Sequence, residues 1–170
     1  RQPLAALPQA VVQQDHDYWE NLIQPMIGDW LNDDTSVRDI ADFAGKVYGR
    51  RDFTGFSGDP QFVRSDYSCK MFSKERASIA DLYAWRARQA NDPGEKQRMS
   101  AAADFAFRQA WALCPYSPEA TLQYVNFLTG EKRSSDALLL AQTAVNLPEW
   151  DKSARGWMRD VITRLQRLNQ

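Results

Sequence analysis

The sequence predicts an all-α protein, and three observations support that class. Apolar residues recur at spacings of three and four along most of the 170 residues, which is the period of an amphipathic helix. No stretch of useful length alternates apolar and polar residues as a half-buried strand does. Proline, glycine and serine separate the helical stretches. Since 44% of the residues are hydrophobic, the chain can bury a core.

Residues 1–65 are predicted to form a helical extension. Its first helix carries one apolar stripe, and Pro25 within that helix lacks a backbone donor, which predicts a kink or break. A second helix is expected to follow the N-cap candidate Ser36 and to end near Gly49. The first stripe consists of Val12, His16, Trp19, Ile23, Met26 and Trp30. The inward face of the second helix consists of Val37, Ile40, Ala41, Ala44, Val47 and Tyr48.

Residues 50–60 form the one long irregular stretch of the sequence. It contains two glycines, one proline and the aromatic residues Phe53 and Phe56. We expect the two phenylalanines to pin the loop onto the helices. Because constrained loops often carry functional sites, a functional loop is the alternative interpretation.

Residues 66–170 are predicted to be almost wholly helical. Turn chemistry at residues 91–94 and 115–118 divides this part of the chain. The predicted helices run from about 65 to 90, 95 to 113, 118 to 128, 134 to 147 and 152 to 168. In the first of these the residues expected to face inward are Ile79, Leu82, Tyr83 and Ala87. In the last they are Ala154, Trp157, Val161, Leu165 and Leu168.

A shift of 34 residues overlays part of the C-terminal half on itself. Small alanines at matching positions let two helices approach closely, and a proline follows each helix. The overlaid pairs are Ala103 with Ala137, Phe107 with Ala141, Ala110 with Ala144, and Leu113 with Leu147. This period, and the pattern Ala103-x3-Phe107-x2-Ala110, resemble the second-helix signature of tetratricopeptide repeats. The first-helix signatures are degenerate, since they lack the family's Trp and Gly.

The resemblance implies antiparallel helical hairpins in a short right-handed superhelical array over residues 66–170. A C-terminal capping helix would close the array, and the extension would complete one compact unit. In such arrays the first helices of successive hairpins line a concave surface that binds peptide segments. The resemblance places Arg88 of the earlier first helix on that surface, together with Glu119, Leu122 and Asn126 of the later one.

Three segments carry a second resemblance: HDYWENLIQPMIGDWL, GDPQFVRSDY and FAFRQAWALCPYSPEA. With them the chain resembles the soluble C-terminal tail of large bacterial multi-spanning membrane proteins of uncharacterised function. The membrane part of those proteins is similar to protein O-mannosyltransferases. The resemblance implies that the full-length protein is tethered to a membrane. It also implies that any glycosyl-transfer chemistry lies outside this chain.

The supply of reactive side chains argues against most enzyme classes. His16 is the only histidine, so histidine-dependent triads and most zinc sites lack partners. Because His16 lies on the apolar stripe of the first helix, it is expected to be a packed, hydrogen-bonded core residue. The two cysteines, Cys69 and Cys114, are expected to be buried free thiols. No catalytic residue, metal site or cofactor is expected.

Paired carboxylates are the remaining enzymatic alternative. Glu20 together with Asp29, Asp33 or Asp34 would serve as acid and base in a helical hydrolase or glycosidase. That alternative predicts a deep cleft holding two carboxylates, one of them with a raised pKa.

The expected function is therefore a non-enzymatic protein- or peptide-binding scaffold. A net charge of −1 lacks the basic excess of a nucleic-acid binder, and no apolar run approaches the length of a membrane span. The expected partner is a protein or peptide segment, or the rest of the chain's own polypeptide. The other alternative is a purely structural tail that packs on that rest through a broad apolar patch.

Overall fold

A computed structural model gives the structure of the chain and describes residue 2 and residues 4–170. Every regular secondary-structure element of those residues is a helix, which confirms the predicted all-α class. The α-helices are α1 (Gln9–Ile27), α2 (Val37–Phe43), α3 (Pro60–Arg64), α4 (Asp66–Gln89), α5 (Pro93–Leu113), α6 (Pro118–Gly130), α7 (Ser134–Val145) and α8 (Arg155–Leu168). A π-helical turn, Ala44–Gly49, extends α2, and a 3₁₀-helical turn, Lys152–Ala154, precedes α8. None of these helices is both long and apolar enough to span a membrane.

Local capping chemistry sets the start of several helices. Ser36 forms a capping box with Asp39, in which each side chain accepts a hydrogen bond from the other residue's backbone N–H. Asp92 and Ser117 likewise cap α5 and α6, each immediately before a proline in the first turn. These interactions involve residues close in sequence, and so the predicted helix starts agree closely with the structure.

The end of α1 differs slightly from the prediction. The helix continues past Pro25 and ends at Ile27, because Gly28 adopts a φ of 101° that a side chain rarely allows. Trp30 therefore lies beyond the helix, where its indole N–H donates to the Ile27 carbonyl at 2.8 Å. A Cβ on Gly58 would lie 2.6 Å from a backbone oxygen at the end of α1. Only a glycine allows the loop to approach α1 this closely.

The two phenylalanines of residues 50–60 hold this loop against the helices, as predicted. Phe53 and Phe56 are half-buried against the core, with their ring centroids 5.7 Å apart. Phe56 also lies 6.2 Å from the ring of Phe43 at the end of α2. This aromatic contact fixes the loop to the N-terminal helices.

A continuous hydrophobic core joins the N-terminal extension to the later helices. It includes Trp19 of α1, Ile40 of α2, Trp111 of α5, Leu140 of α7 and Leu165 of α8. The six residues predicted to form the inward face of the second helix are all buried. The extension thus packs directly on α5 and α7.

The predicted inward face of α4 was wrong at Leu82, which is 55% exposed. The helix packs through its small side chains, which let it lie close to α5. The buried apolar residues of this face are Cys69, Ala77, Ala80, Tyr83, Ala84 and Ala87. Leu82 lies two residues from Ala84, about 200° around the helix, and therefore faces away from α5.

The inward face of α8 was also wrong in part. Trp157 is 38% exposed and Leu168 is 60% exposed, whereas Met158 is fully buried. Trp157 lies beside the segment that joins α7 to α8, where its ring centroid is 6.5 Å from that of Trp150. Leu168 ends the helix beside Asn169, which already hydrogen-bonds to the first residue of α7. Because α8 ends at this position, Leu168 has no further turn of its own helix to cover it.

Cys69 and Cys114 are buried free thiols, as predicted. Burial raises the pKa of both thiols. Because the thiolate is the reactive form, we expect neither cysteine to react with Ellman's reagent in the native protein and both to react in guanidinium chloride. The absorbance of the thionitrobenzoate that the reagent releases counts the cysteines that have reacted. Native-state reaction as fast as in the unfolded chain would contradict the buried positions.

Candidate functional site

A groove on the protein surface runs between α4 and α6. At one end, Lys74 and Glu119 border a hollow of about 440 Å³. At the other end, Arg88 and Asn126 border a hollow of about 380 Å³. Gln123 lines both hollows, so the two are adjacent parts of one groove.

The two helices that border the groove run in the same direction. Residue numbers rise from the first hollow to the second along both α4 and α6, while α5 connects them by running back. Between Lys70 and Arg88, a helical rise of 1.5 Å per residue gives a groove length of about 27 Å. An extended peptide of about seven or eight residues would span it.

The groove has an apolar floor. Phe107 of α5 and Phe127 of α6 lie at the Arg88 end with ring centroids 5.3 Å apart. Three alanines on this side of α4 also line the groove, and their small side chains leave space there for a ligand. They are Ala77, Ala84 and Ala87.

The polar rim carries more cationic than acidic side chains. Its cations are Lys70, Lys74, Arg88 and Lys96, and its acids are Asp81, Glu119 and Glu131. Of the four cations, only Lys70 forms an ion pair with a described residue, namely Asp66 at 3.1 Å. In addition, Oε1 of Gln123 is buried without a hydrogen-bond partner among the described residues. Several polar groups of the rim therefore remain available for a ligand.

The structure brings three of the four predicted surface residues into this groove. Arg88, Glu119 and Asn126 are exposed and line it. Leu122 does not, because it is half-buried against the core. Gln123, one residue further along α6, faces the groove instead, and its spacing of four from Glu119 and three from Asn126 was the signal that could have identified it.

A smaller cavity, of about 230 Å³, lies where α1 meets α4 and α5. Its lining includes Asp15, His16, Asp33, Arg76 and Tyr83. The guanidinium of Arg76, only 1% exposed, donates to the Asp15 carboxylate at 2.8 Å. The Tyr83 hydroxyl donates to the same carboxylate oxygen at 2.8 Å. Asp15 is therefore engaged in an ion pair that joins α1 to α4.

The carboxylates that the sequence suggested as an acid–base pair do not face a shared enclosed cleft. Glu20 and Asp33 both lie beside His16, at 3.5 Å and 3.1 Å from its ring nitrogens, but Glu20 is not part of the cavity lining. The Asp33 side chain is exposed to solvent. Asp29 instead accepts a hydrogen bond from a loop serine at 3.0 Å.

His16 is packed and hydrogen-bonded, as predicted, but it does not lie in the core. Its ring stacks on Phe105 with centroids 4.4 Å apart and planes at 16°. Nε2 lies 3.1 Å from both oxygens of Asp33. The residue is half-buried because the loop that carries Asp33 covers only part of the gap between α1 and α5.

Comparisons of the chain with known protein families, with curated proteins and with solved structures find no match. The class of this protein is therefore described by its architecture. It is an all-helical protein with a polar-rimmed groove between α4 and α6.

Proposed function

We propose that this chain is a non-enzymatic interaction module, and that its α4–α6 groove binds an extended peptide segment of a protein partner. The observation that carries the proposal is the groove between two helices that run in the same direction. Its rim offers Lys74, Arg88 and Lys96 without ion-pair partners among the described residues. A peptide backbone would find hydrogen-bonding groups at Gln123 and Asn126.

We further propose that α4–α5 and α6–α7 are two degenerate tetratricopeptide hairpins of a short right-handed array, with α8 as its cap. Burial at the repeated positions supports this, since all eight residues of the overlaid pairs are at most 3% exposed. Under this assignment α4 and α6 are the first helices of successive hairpins. These are the two helices that border the groove.

We propose that the bound segment combines carboxylates with an apolar side chain. Lys74 and Arg88 lie towards opposite ends of the groove, and both would pair with acidic groups. An apolar side chain would pack on Phe107 and Phe127 at the Arg88 end of the groove. Because exposed ion pairs each contribute about 0.2–1 kcal/mol and the groove is short, the expected affinity is in the micromolar range.

The test is a selection of random eight-residue peptides displayed on phage, followed by fluorescence polarisation with the enriched peptides. We expect enrichment of peptides with Asp or Glu near both ends. We also expect Arg88→Glu to weaken their binding about tenfold, equivalent to about 1.4 kcal/mol, because a carboxylate then repels them. Arg164→Glu is the matched control, because it makes the same charge change at an exposed position of α8, outside the groove.

The proposal fails if the enriched peptides bind Arg88→Glu and wild-type protein equally well, or if no peptide is enriched. Because Arg88 is exposed, both charge variants should stay folded, although Arg88→Glu places an acid in the last turn of α4 and should lower the stability by about 0.3–1 kcal/mol. A thermal melt followed by circular dichroism checks that a loss of binding does not reflect a loss of fold.

One observation favours the alternative that the chain is a structural tail of a larger membrane protein. Leu82 and Trp85 lie one turn apart on α4 and are both exposed, so they form an apolar surface away from α5. A tail that packs on the rest of its own polypeptide would cover this surface and would not need the groove. Arg88→Glu would then leave its assembly with that polypeptide unchanged.

A further inference from the structure

We propose that His16, Asp17 and Glu20 form a binding site for a divalent transition metal, with Zn²⁺ the ion that fits best. Each residue offers one ligand atom, and the three atoms lie within 4.8 Å of one another. All three residues lie within α1, close to the mouth of the cavity that Asp15 and Arg76 line.

Both ring nitrogens of His16 face carboxylates, and the proposed site assigns a different role to each nitrogen. Nε2 lies 3.1 Å from both oxygens of Asp33, so an Nε2–H donates to that carboxylate. In this tautomer Nδ1 carries the lone pair, and it faces Oδ1 of Asp17 at 3.4 Å and Oε2 of Glu20 at 3.5 Å. Three electron-rich atoms therefore face one another around a space that a cation would occupy.

Two of the three distances between these atoms agree with a tetrahedral site, and the third, between the carboxylates of Asp17 and Glu20, is at most 4.8 Å. Zinc bonds of about 2.0–2.2 Å to nitrogen and oxygen place the ligand atoms of a tetrahedron about 3.3–3.6 Å apart. The separations of 3.4 Å and 3.5 Å from Nδ1 of His16 lie within that range. A water molecule would complete the tetrahedron on the solvent side, since Asp17 is exposed.

The ligand set separates transition metals from the alkaline-earth ions. Ca²⁺ and Mg²⁺ prefer oxygen ligands throughout, whereas an imidazole nitrogen with carboxylates suits Zn²⁺ and its neighbours. The contact from Nε2 to Asp33 is the carboxylate–histidine pairing that orients metal-bound imidazoles. Stacking on Phe105 at 4.4 Å further fixes the plane of the ring.

The local charge favours a cation at this position. Arg76 pairs with Asp15, but Asp17, Glu20 and Asp33 form no ion pair with a described lysine or arginine. Gln13 donates to Asp17 at 2.8 Å, yet its neutral amide does not offset the charge. A proton on Nδ1 would also satisfy the arrangement. The experiment must therefore distinguish a metal ion from a proton.

His16 is the only histidine of the chain, so its ring nitrogens give uniquely assigned signals in ¹H–¹⁵N spectra. We expect one equivalent of Zn²⁺ to shift the Nδ1 resonance while Nε2 keeps its hydrogen. We expect calorimetry with Zn²⁺ to give one saturable site, and Co²⁺ to give the intense visible absorption of a tetrahedral complex.

Variants test two of the three proposed ligands and the residue that orients the histidine ring. We expect His16→Gln and Glu20→Gln to abolish saturable Zn²⁺ binding. We expect Asp33→Asn to weaken binding about 10–100-fold, because it removes the acceptor that orients the ring. Asp34→Asn is the matched control, because Asp34 neighbours Asp33 and makes no side-chain contact with His16 among the described interactions. This variant should bind Zn²⁺ as the wild-type protein does.

Three results would overturn the proposal. The first is the absence of saturable Zn²⁺ binding in the wild-type protein. The second is an Nδ1 that keeps its proton at neutral pH in the presence of excess Zn²⁺, because the cluster would then hold a proton only. The third is equal affinity in the wild-type protein and Glu20→Gln, with the fold of each variant verified by circular dichroism.

Discussion

Replacing Trp111 with alanine is expected to lower the free energy of unfolding by about 4 kcal/mol. Trp111 has no exposed surface, and its indole N–H donates to the Thr121 hydroxyl of α6 at 3.1 Å. The substitution removes the largest fully buried side chain of the protein's described core and leaves a cavity between α5 and α6. It also leaves the buried Thr121 hydroxyl without its donor. Urea denaturation followed by circular dichroism measures the loss.

Trp157→Ala is the matched control for this variant. Trp157 is an equally large side chain, but it is 38% exposed and lies beside Trp150 in the segment that joins α7 to α8. Its removal should therefore cost much less than the removal of Trp111, at about 1 kcal/mol. Equal losses for the two variants would contradict the different burial of the two side chains.

Asp15→Asn is expected to lower the free energy of unfolding by about 3 kcal/mol. The amide keeps the size of the carboxylate but leaves the guanidinium of Arg76, which is 1% exposed, without a counter-charge. Burial lowers the pKa of Arg76, and the Asp15 carboxylate opposes that effect. Breaking a buried ion pair costs about 3–5 kcal/mol of the free energy of unfolding. We expect a value at the lower end of this range, because Asp15 itself is 21% exposed and partly hydrated. Urea denaturation of both proteins is the measurement.

A double-mutant cycle separates the ion pair from other effects. With Arg76→Met, the charge is absent, and the further change Asp15→Asn should then cost less than it does in the wild-type protein. Asp34→Asn, an exposed substitution of the same type, should change the stability by less than about 0.5 kcal/mol. An Asp15→Asn variant as stable as Asp34→Asn would show that the pair contributes nothing.

Much of the helical architecture could be predicted from the sequence, because its determinants are local. Ser36 and Ser117 cap helices through N–H groups three residues away, and the small alanines at the overlaid positions are buried. Part of the groove could be predicted from the sequence for the same reason. Positions on one face of a single helix, such as Glu119 and Asn126, follow from the helical period alone.

The errors arose where the outcome depends on which element lies alongside. Helical periodicity locates the centre of an apolar face only to within about one residue, or about 100° around the helix. It therefore could not tell whether Leu82 or its neighbours contact α5. Trp157 likewise falls on the predicted stripe of α8, yet the structure buries Met158 and leaves Trp157 38% exposed. The neighbouring helix, and not the pattern, decides which edge of a stripe is covered.

The sequence by itself therefore determined the all-helical class, most helix boundaries and the residues of each helix that share a face. Only the tertiary structure decided which faces meet. It placed Arg76 against Asp15, 61 residues apart, and Asp33 against His16, 17 residues apart. Such contacts leave no local signal, because helical period and capping involve residues within a few positions, whereas these side chains meet only when separate helices and loops pack together.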